Sequence, residues 1–208
     1  MRSTITDEAA LRALIGGEPQ AVVVSKISRR LNDLTRQFVE RAPFVCLATS
    51  AADGSCDVSP RGDPAGFVRI LDERTLLLPD RPGNRIADSL RNILVNPHVG
   101  LLFVIPGVGD SFRVNGRAVL TDDPELLAPS EVDGKVPTLG IVVEIDEAYT
   151  QCSKAFIRSD LWNPALHIDR AELPSAGAIM RSLRDDDFDA DAYNTARAER
   201  YARREGLY

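Results

Sequence analysis

Cysteine, histidine and lysine are scarce in this chain of 208 residues, and each scarcity removes a class of chemistry. The three cysteines, Cys46, Cys56 and Cys152, are odd in number, widely spaced and without a CxxC. They make neither a disulfide framework nor a zinc site, and they fit a reducing cytoplasm. Two histidines, His98 and His167, with no HExxH and no GxSxG, leave metal-hydrolase and triad chemistry without support, and no metal is expected. There is no GxxxxGK[ST] phosphate loop. No apolar run reaches the roughly 18 residues of a membrane span, and the longest candidate, Val99–Pro106, is strand-sized. The opening Met1-Arg2-Ser3-Thr4 turns acidic and helical at once, so no secretory leader is expected and the cytoplasm is the expected location. Lysine stands at positions 26, 135 and 154 alone, so 22 of the 25 cations are arginine. That bias reflects either genome composition or a grip on phosphate oxygens, which a planar guanidinium binds bidentately. A net charge of −6 and a pI of about 5.0 disfavour nucleic acid as the main partner.

What is present is ordinary globular composition, 44% hydrophobic and 27% charged, at a length that suggests one domain with extensions. Asp7-Glu8 before Ala9, Leu11 and Leu14, with Gly16-Gly17 as a stop, predicts a first helix. Ser25 followed by Ile27, Leu31, Leu34, Phe38 and Val39 predicts a second, ended by Pro43. Strands follow: Phe44–Ser50, a hairpin at Ala52-Asp53-Gly54, Cys56–Ser59, then Phe67–Leu71 paired with Thr75–Leu78. Asn84–Val95 predicts one inserted helix, with Ile86, Leu90, Ile93 and Leu94 on one face. Val99–Ile105 and Phe112–Leu120 form a hairpin across Pro106-Gly107-Val108-Gly109-Asp110, and Leu139–Ile145 is a last strand. Gly107-Val108-Gly109 sits between strands and lacks a third glycine, so it is a turn and not a dinucleotide fingerprint. Ser153–Trp162 and Asp189–Arg204 are helix candidates, and Asp185-Asp186-Asp187 is a solvated acidic run. Six or seven short antiparallel strands with one inserted helix point to a mainly β (α+β) fold, a small closed barrel with helical extensions at both ends and not a doubly wound sheet. The boundaries are 1–42 for the N-terminal extension, 43–150 for the barrel, and 151–208 for a C-terminal extension packed on the barrel or a partner subunit.

Two segments carry candidate chemistry, Ser59-Pro60-Arg61-Gly62-Asp63-Pro64 and Pro79-Asp80-Arg81-Pro82-Gly83-Asn84-Arg85. The second leaves a strand and opens the inserted helix, so free backbone N–H groups and the positive end of the dipole stand beside Arg81 and Arg85. Either this is a phosphate site, or Pro82-Gly83 is a plain turn, Asn84 a cap and both arginines solvated. Arg61 has three candidate partners: a phosphate, a ring, or Asp63. Cys152 and Lys154 have no visible base beside them, and a structural role is the expectation.

An ordered set of motifs adds a family. Phe44-Val45-Cys46-Leu47-Ala48-Thr49-Ser50, Asp53-Gly54, Asp57-Val58 with the SPRGDP segment Ser59–Pro64, Phe67–Asp72, Leu76–Arg85, Asn92, Asn96-Pro97, Val99–Phe103 and Arg113–Ala118 follow one another. Over about residues 25–165 the chain resembles the pyridoxamine 5′-phosphate oxidase-like FMN-binding split-barrel superfamily, in particular a bacterial branch that carries an SPRGDP segment. The resemblance implies a six-stranded antiparallel split barrel with an inserted helix, forming a homodimer with one FMN in each of two interface clefts. By position it implies that Asn84 and Arg85 hold the phosphate, that Ser59, Pro60 and Arg61 run along the flavin, and that Leu78, Pro79 and Asp80 lie on the paired strand with Arg81 close by. It also implies that Arg113, Asn115 and Arg117 approach the neighbouring subunit's flavin. The Arg-Leu-His-Asp-Arg segment of true pyridoxamine phosphate oxidases has only a loose echo in Leu166-His167-Ile168-Asp169-Arg170, so that substrate is not implied. The resulting expectation is an FMN-dependent oxidoreductase acting on a small molecule, with no catalytic residue assigned. The alternatives are a flavin-binding or sensor module without turnover, and a split barrel that handles haem or a deazaflavin.

Overall fold

Period-two alternation of apolar and polar residues dominates the middle of the chain, and it folds as one antiparallel sheet. The structure is a computed structural model that describes residues 4–208; Met1, Arg2 and Ser3, which open the expected leaderless start, lie outside the described residues. Its strands are β1 (Phe44–Ser50), β2 (Cys56–Gly62), β3 (Arg69–Asp72), β4 (Thr75–Pro79), β5 (His98–Val104), β6 (Ser111–Thr121) and β7 (Gly140–Gln151). Their order is β2-β1-β5-β6-β7-β4-β3, every neighbour antiparallel. The six strands implied by the resemblance are therefore corrected to seven, and the closed barrel read from the residues is corrected to an open sheet, because its end strands share no main-chain ladder.

Alternation selects the core. Val45 and Leu47 of β1, Val99, Leu101 and Phe103 of β5, Phe112 and Val114 of β6, and Ile141, Val143 and Ile145 of β7 all point inward and are buried. Phe112 stacks on Phe38 at 5.6 Å and meets Phe103 at 6.2 Å. β4 is buried on both faces: Leu76 and Leu78 join this core, while Leu77 lies under Leu127 of the short helix Pro124–Leu127. A Cβ on Gly140 would come within 2.7 Å of Leu127 and 2.9 Å of Leu77, so only glycine lets that helix settle on the sheet. At Asn115/Gly116 the β6–β7 register shifts by a bulge, and a Cβ on Gly116 would overlap the Glu144 carbonyl.

The helices, in chain order, are α1 (Glu8–Ile15), α2 (Ala21–Val24), α3 (Arg36–Arg41), α4 (Asp88–Val95), α5 (Pro124–Leu127), α6 (Lys154–Ser159), α7 (Ala176–Ser182) and α8 (Ala190–Ala202). The first follows its signals, with Asp7 accepting from the Ala10 amide and Gly16 in the left-handed region at its end. The second expected helix does not form over residues 25–35. There Ser28 exchanges backbone hydrogen bonds with Ala148 of β7, Leu31 donates to the Glu73 carbonyl, and the Asn32 side chain accepts from the Leu34 and Thr35 amides. Those bonds give the backbone an alternative to the helix. α4 starts at Asp88, four residues later than expected; Asn84 does not cap it but accepts from the Ile86 amide in a tight local turn. Its far end is tied to β1 by Asn92 to Thr49 (3.0 Å) and Asn96 to Ser50 (2.8 Å).

Beyond β7, Trp162 stacks on Phe156 of α6 and donates to the Val108 carbonyl at 2.9 Å, pinning the chain to the β5–β6 turn. α7 and α8 pack on each other through Gly177, whose amide bonds Asn194. α7, α5 and three short 3₁₀ turns carry no signal noted in the sequence.

Replacing Phe112 by Ala should cost about 3–5 kcal/mol, because a fully buried ring between two others leaves a cavity. Leu34→Ala should stay within about 0.5 kcal/mol, since Leu34 is 72% exposed and packs no helix face. Urea unfolding midpoints of both variants check the pair.

Candidate functional site

β2 is an end strand of the sheet, and the exit of β4 lies five positions away in strand order. Side chains nevertheless join the two, so the sheet curls until they face each other across a split. The Arg61 guanidinium pairs with Asp80, and Arg81 Nε meets Asp63 Oδ2 at 2.7 Å. Pro60 is tolerated because an end strand needs no full ladder. Beside these pairs opens a cavity of about 820 Å³, within the range of small-molecule sites. Ser59, Pro60, Arg61, Pro79, Asp80, Arg81, Asn84 and Arg85 line it, which unites eight of the twelve residues singled out in the sequence.

The other four lie elsewhere. Leu78 is 1% exposed and belongs to the core. Arg113 and Asn115 line a smaller cavity of about 390 Å³ on the outer sheet face, with Cys46, Ala48, Val58 and Leu102. Arg113 donates to the Tyr149 hydroxyl at 3.0 Å and Asn115 to Glu147 at 2.9 Å. Arg117 pairs with Glu144 and Asp146 at the surface, away from both. Within one chain, then, this β6 trio does not reach the split.

At the split, alternation along β2 sends Asp57, Ser59 and Arg61 to the same side. The Ser89 hydroxyl, 3% exposed in the first turn of α4, donates to Asp57 at 2.5 Å and lies 2.9 Å from the Ser59 hydroxyl. Arg61 donates to Ser59 as well, at 3.3 Å. Its partners are thus Asp80 and Ser59 and not Asp63, which Arg81 and the Tyr208 hydroxyl occupy. Arg81 is committed further: it donates to the Ser130 carbonyl at 2.7 Å and lies over the Tyr208 ring at 5.1 Å. Arg85 is different. It stands exposed on the cavity rim with φ 63° and makes no hydrogen bond or ion pair among the described residues.

The first turn of α4 completes the wall. No side chain caps it, and Ala87 at its start is held at φ 60°. Unpaired amides at a helix start, with the positive end of the dipole, favour an anion there. Asp57, Ser89, Phe67, Ile86, Leu90, Gly206 and Leu207 also line the cavity. Asp57 was legible by extending the alternation from Ser59, and Ser89 by its place in the helix's first turn; nothing in the sequence flags Gly206 and Leu207. Among the described residues no group of three His, Cys, Asp or Glu side chains is placed to hold a metal ion.

An antiparallel sheet that curls on itself yet stays open, with its cavity at the split, defines a split-barrel protein. The chain belongs to the pyridoxamine 5′-phosphate oxidase family, whose profile matches residues 31–152, more than half of its length. Among solved structures it is similar to a putative pyridoxamine 5′-phosphate oxidase from Lactobacillus delbrueckii, at 21% identity and a TM-score of 0.46 over 59% of this chain and 95% of that one. It is also similar to an FMN-binding protein from Syntrophomonas wolfei (14%, 0.42, covering 56% and 88%). A third is HutZ, the heme storage protein from Vibrio cholerae (16%, 0.41, covering 59% and 96%). No curated protein matches the chain in sequence.

The two kinds of ion pair predict different costs. Asp63 has a side chain only 1% exposed, so Asp63→Asn leaves Arg81 without its charge partner and should cost about 3–5 kcal/mol. Glu144→Gln, at the half-exposed Arg117 pair, should cost less than about 1 kcal/mol. Chemical denaturation of the two variants side by side measures the contrast.

Proposed function

We propose that the protein is a cytoplasmic flavoprotein that holds FMN in the split and serves as an oxidoreductase for a small molecule. The observation that carries this reading is the uncapped first turn of α4 beside Arg85, an arginine with no carboxylate of its own, at the rim of a cavity of about 820 Å³. The residues present fit the group. Arg85 and the α4 amides supply donors for a phosphate. Pro60, Phe67, Ile86, Leu90 and Leu207 supply apolar walls for a ring system. When bound, FMN supplies the electron-transfer chemistry. The chain's own part is to anchor, orient and exclude water. Arg61 is held in the cavity wall by its bonds to Asp80 and Ser59, so it would offer a bound ring a fixed positive charge and not a mobile one.

Homodimerisation belongs to the same proposal. The outer faces of β1, β2, β5 and β6 leave Val58 66% exposed and Cys46, Ala48 and Leu102 only partly covered. A second copy laid on this face buries that apolar surface and carries Arg113 and Asn115 towards the partner's split. Sedimentation tests it; a monomer at micromolar concentration with FMN still bound overturns it.

A second reading, a flavin carrier or sensor without turnover, draws support from one feature. No His or Cys lines the cavity among the described residues, and of its three carboxylates Asp57 and Asp80 are already engaged by Ser89 and Arg61, while Asp88 lies 3.9 Å from Arg91. Absorption spectra of the purified protein distinguish flavin from haem or deazaflavin, and reoxidation of reduced flavin by a panel of acceptors distinguishes enzyme from carrier.

Arg85→Ala should weaken FMN about ten- to hundredfold, the worth of a charge-assisted hydrogen bond, and leave riboflavin nearly unchanged because it has no phosphate. Arg74→Ala, on the exposed β3–β4 turn, controls for generic loss of charge and should change neither. Fluorescence titrations with both ligands decide. Equal losses place Arg85 beside the ring or in the fold, and no loss removes it from the grip.

A further inference from the structure

Gly206–Tyr208 lies in no helix or strand, yet three contacts from distant parts of the chain hold it against the split. The Tyr208 hydroxyl donates to Asp63 Oδ1 at 2.7 Å, the Arg81 guanidinium covers its ring at 5.1 Å, and Lys135 Nζ donates to its backbone oxygen at 2.9 Å. The hydrogen bond to Asp63, and after it burial, push the phenol's ionisation upward, so it remains a donor well beyond neutral pH. The chain arrives there because α8 ends and two left-handed residues, Arg204 (φ 54°) and Gly206 (φ 74°), reverse its direction. An untied segment of this kind lies in solvent. This one puts Gly206 and Leu207 into the wall of the cavity.

We propose that Gly206–Tyr208 is a latch on the cofactor cavity, in which Tyr208 is the pin held by Asp63 and Arg81, and Leu207 is the apolar wall that a bound flavin must pass to leave. The latch rests on the reading of the cavity as an FMN site. Asp63 joins the two tasks: one oxygen takes the ion pair that spans the split, the other takes the pin. Three contacts hold three residues, so opening is a local event that leaves the sheet intact. A ligand behind Leu207 then leaves at a rate set by that opening and not by the unfolding of the barrel. Tyr208 is accordingly a positioning residue for the site.

Two measurements on the full chain test this. The phenol absorbance of the wild type minus that of Tyr208→Phe, followed against pH, reports the ionisation of Tyr208 without any ligand; it should lie above that of a free tyrosine. Stopped-flow release of FMN should be about tenfold faster in Tyr208→Phe, which loses a hydrogen bond to a charged group, and faster again in a chain lacking residues 206–208. Lys135→Ala, remote from the cavity wall, should also speed release, while the thermal midpoints of the ligand-free variants stay close to wild type. A Tyr208 that titrates as a free phenol, or release rates equal in all variants, overturns the latch and leaves the cofactor reading standing. A wild-type chain that takes up no FMN overturns both.

Discussion

The pairing of Arg61 with Asp80, and of Arg81 with Asp63, is the constraint on which the rest of the site depends. A seven-stranded sheet of this length has two ways to treat its end strands: join them by main-chain hydrogen bonds, or leave them apart and cover the edges. Here the ladder stops at β2, and Pro60 on that strand removes one of the donors that closure would use. Side chains span the gap in place of the backbone. They are longer than a hydrogen bond between strands, so they hold the edges apart while fixing their separation. A buried ion pair adds little net stability compared with an apolar pair of the same size, because desolvation offsets the attraction. Its contribution at the split is geometric, a gap of set width beside α4.

The same constraint accounts for the awkward start of α4. The chain leaves β4 at Pro79 on one side of the split and must begin the helix against Ser59 and Asp57 on the other. It crosses in Asp80–Ala87, where two residues other than glycine, Arg85 and Ala87, adopt left-handed conformations. Such conformations cost about 1 kcal/mol or more each and persist where surrounding contacts over-determine them. The contacts at hand are the Asn84 turn before them and the buried Ser89–Asp57 bond after them. The outcome is a helix whose first amides have no side-chain cap and whose neighbouring arginine is turned outward to the rim.

Legibility in the sequence followed the range of the interaction. β1 and the pairing of β3 with β4 were readable because alternation and turn residues are local. Residues 25–35 were misread because Ile27, Leu31, Leu34 and Phe38 keep helical spacing, whereas the backbone there bonds to Ala148 and Glu73 far along the chain. The start of α4 was misplaced for a related reason: Asn84 is a good cap in isolation but closes a two-residue turn instead. At the site, residues that share a strand face, such as Ser59 and Arg61, could be grouped from spacing alone. The bond from Tyr208 to Asp63 spans 145 positions, and no periodicity links them. The β6 trio was grouped by resemblance, and a single chain keeps it apart from the split because β6 lies three strands from β2.

The abundance of arginine acquires a physical meaning once partners are assigned. An arginine paired with a carboxylate in a poorly hydrated place yields to an incoming anion only if the pair breaks and a carboxylate is left bare, which costs several kcal/mol. Arg61 and Arg81 are in that position, so their charge shapes the split without being free to close on a ligand. Arg113 and Arg117 are engaged with Tyr149 and with Glu144 and Asp146 on other faces. Around the cavity this leaves Arg85 and the helix amides as the positive groups whose hydrogen bonds are still to be made. Anion affinity is therefore concentrated at one end of the cleft, next to α4, and the apolar residues Pro60, Phe67 and Leu207 occupy the remainder. A ligand with one charged end and one flat apolar body satisfies both parts together, whereas a compact anion leaves the apolar wall wet and an apolar ligand leaves Arg85 and the amides to water.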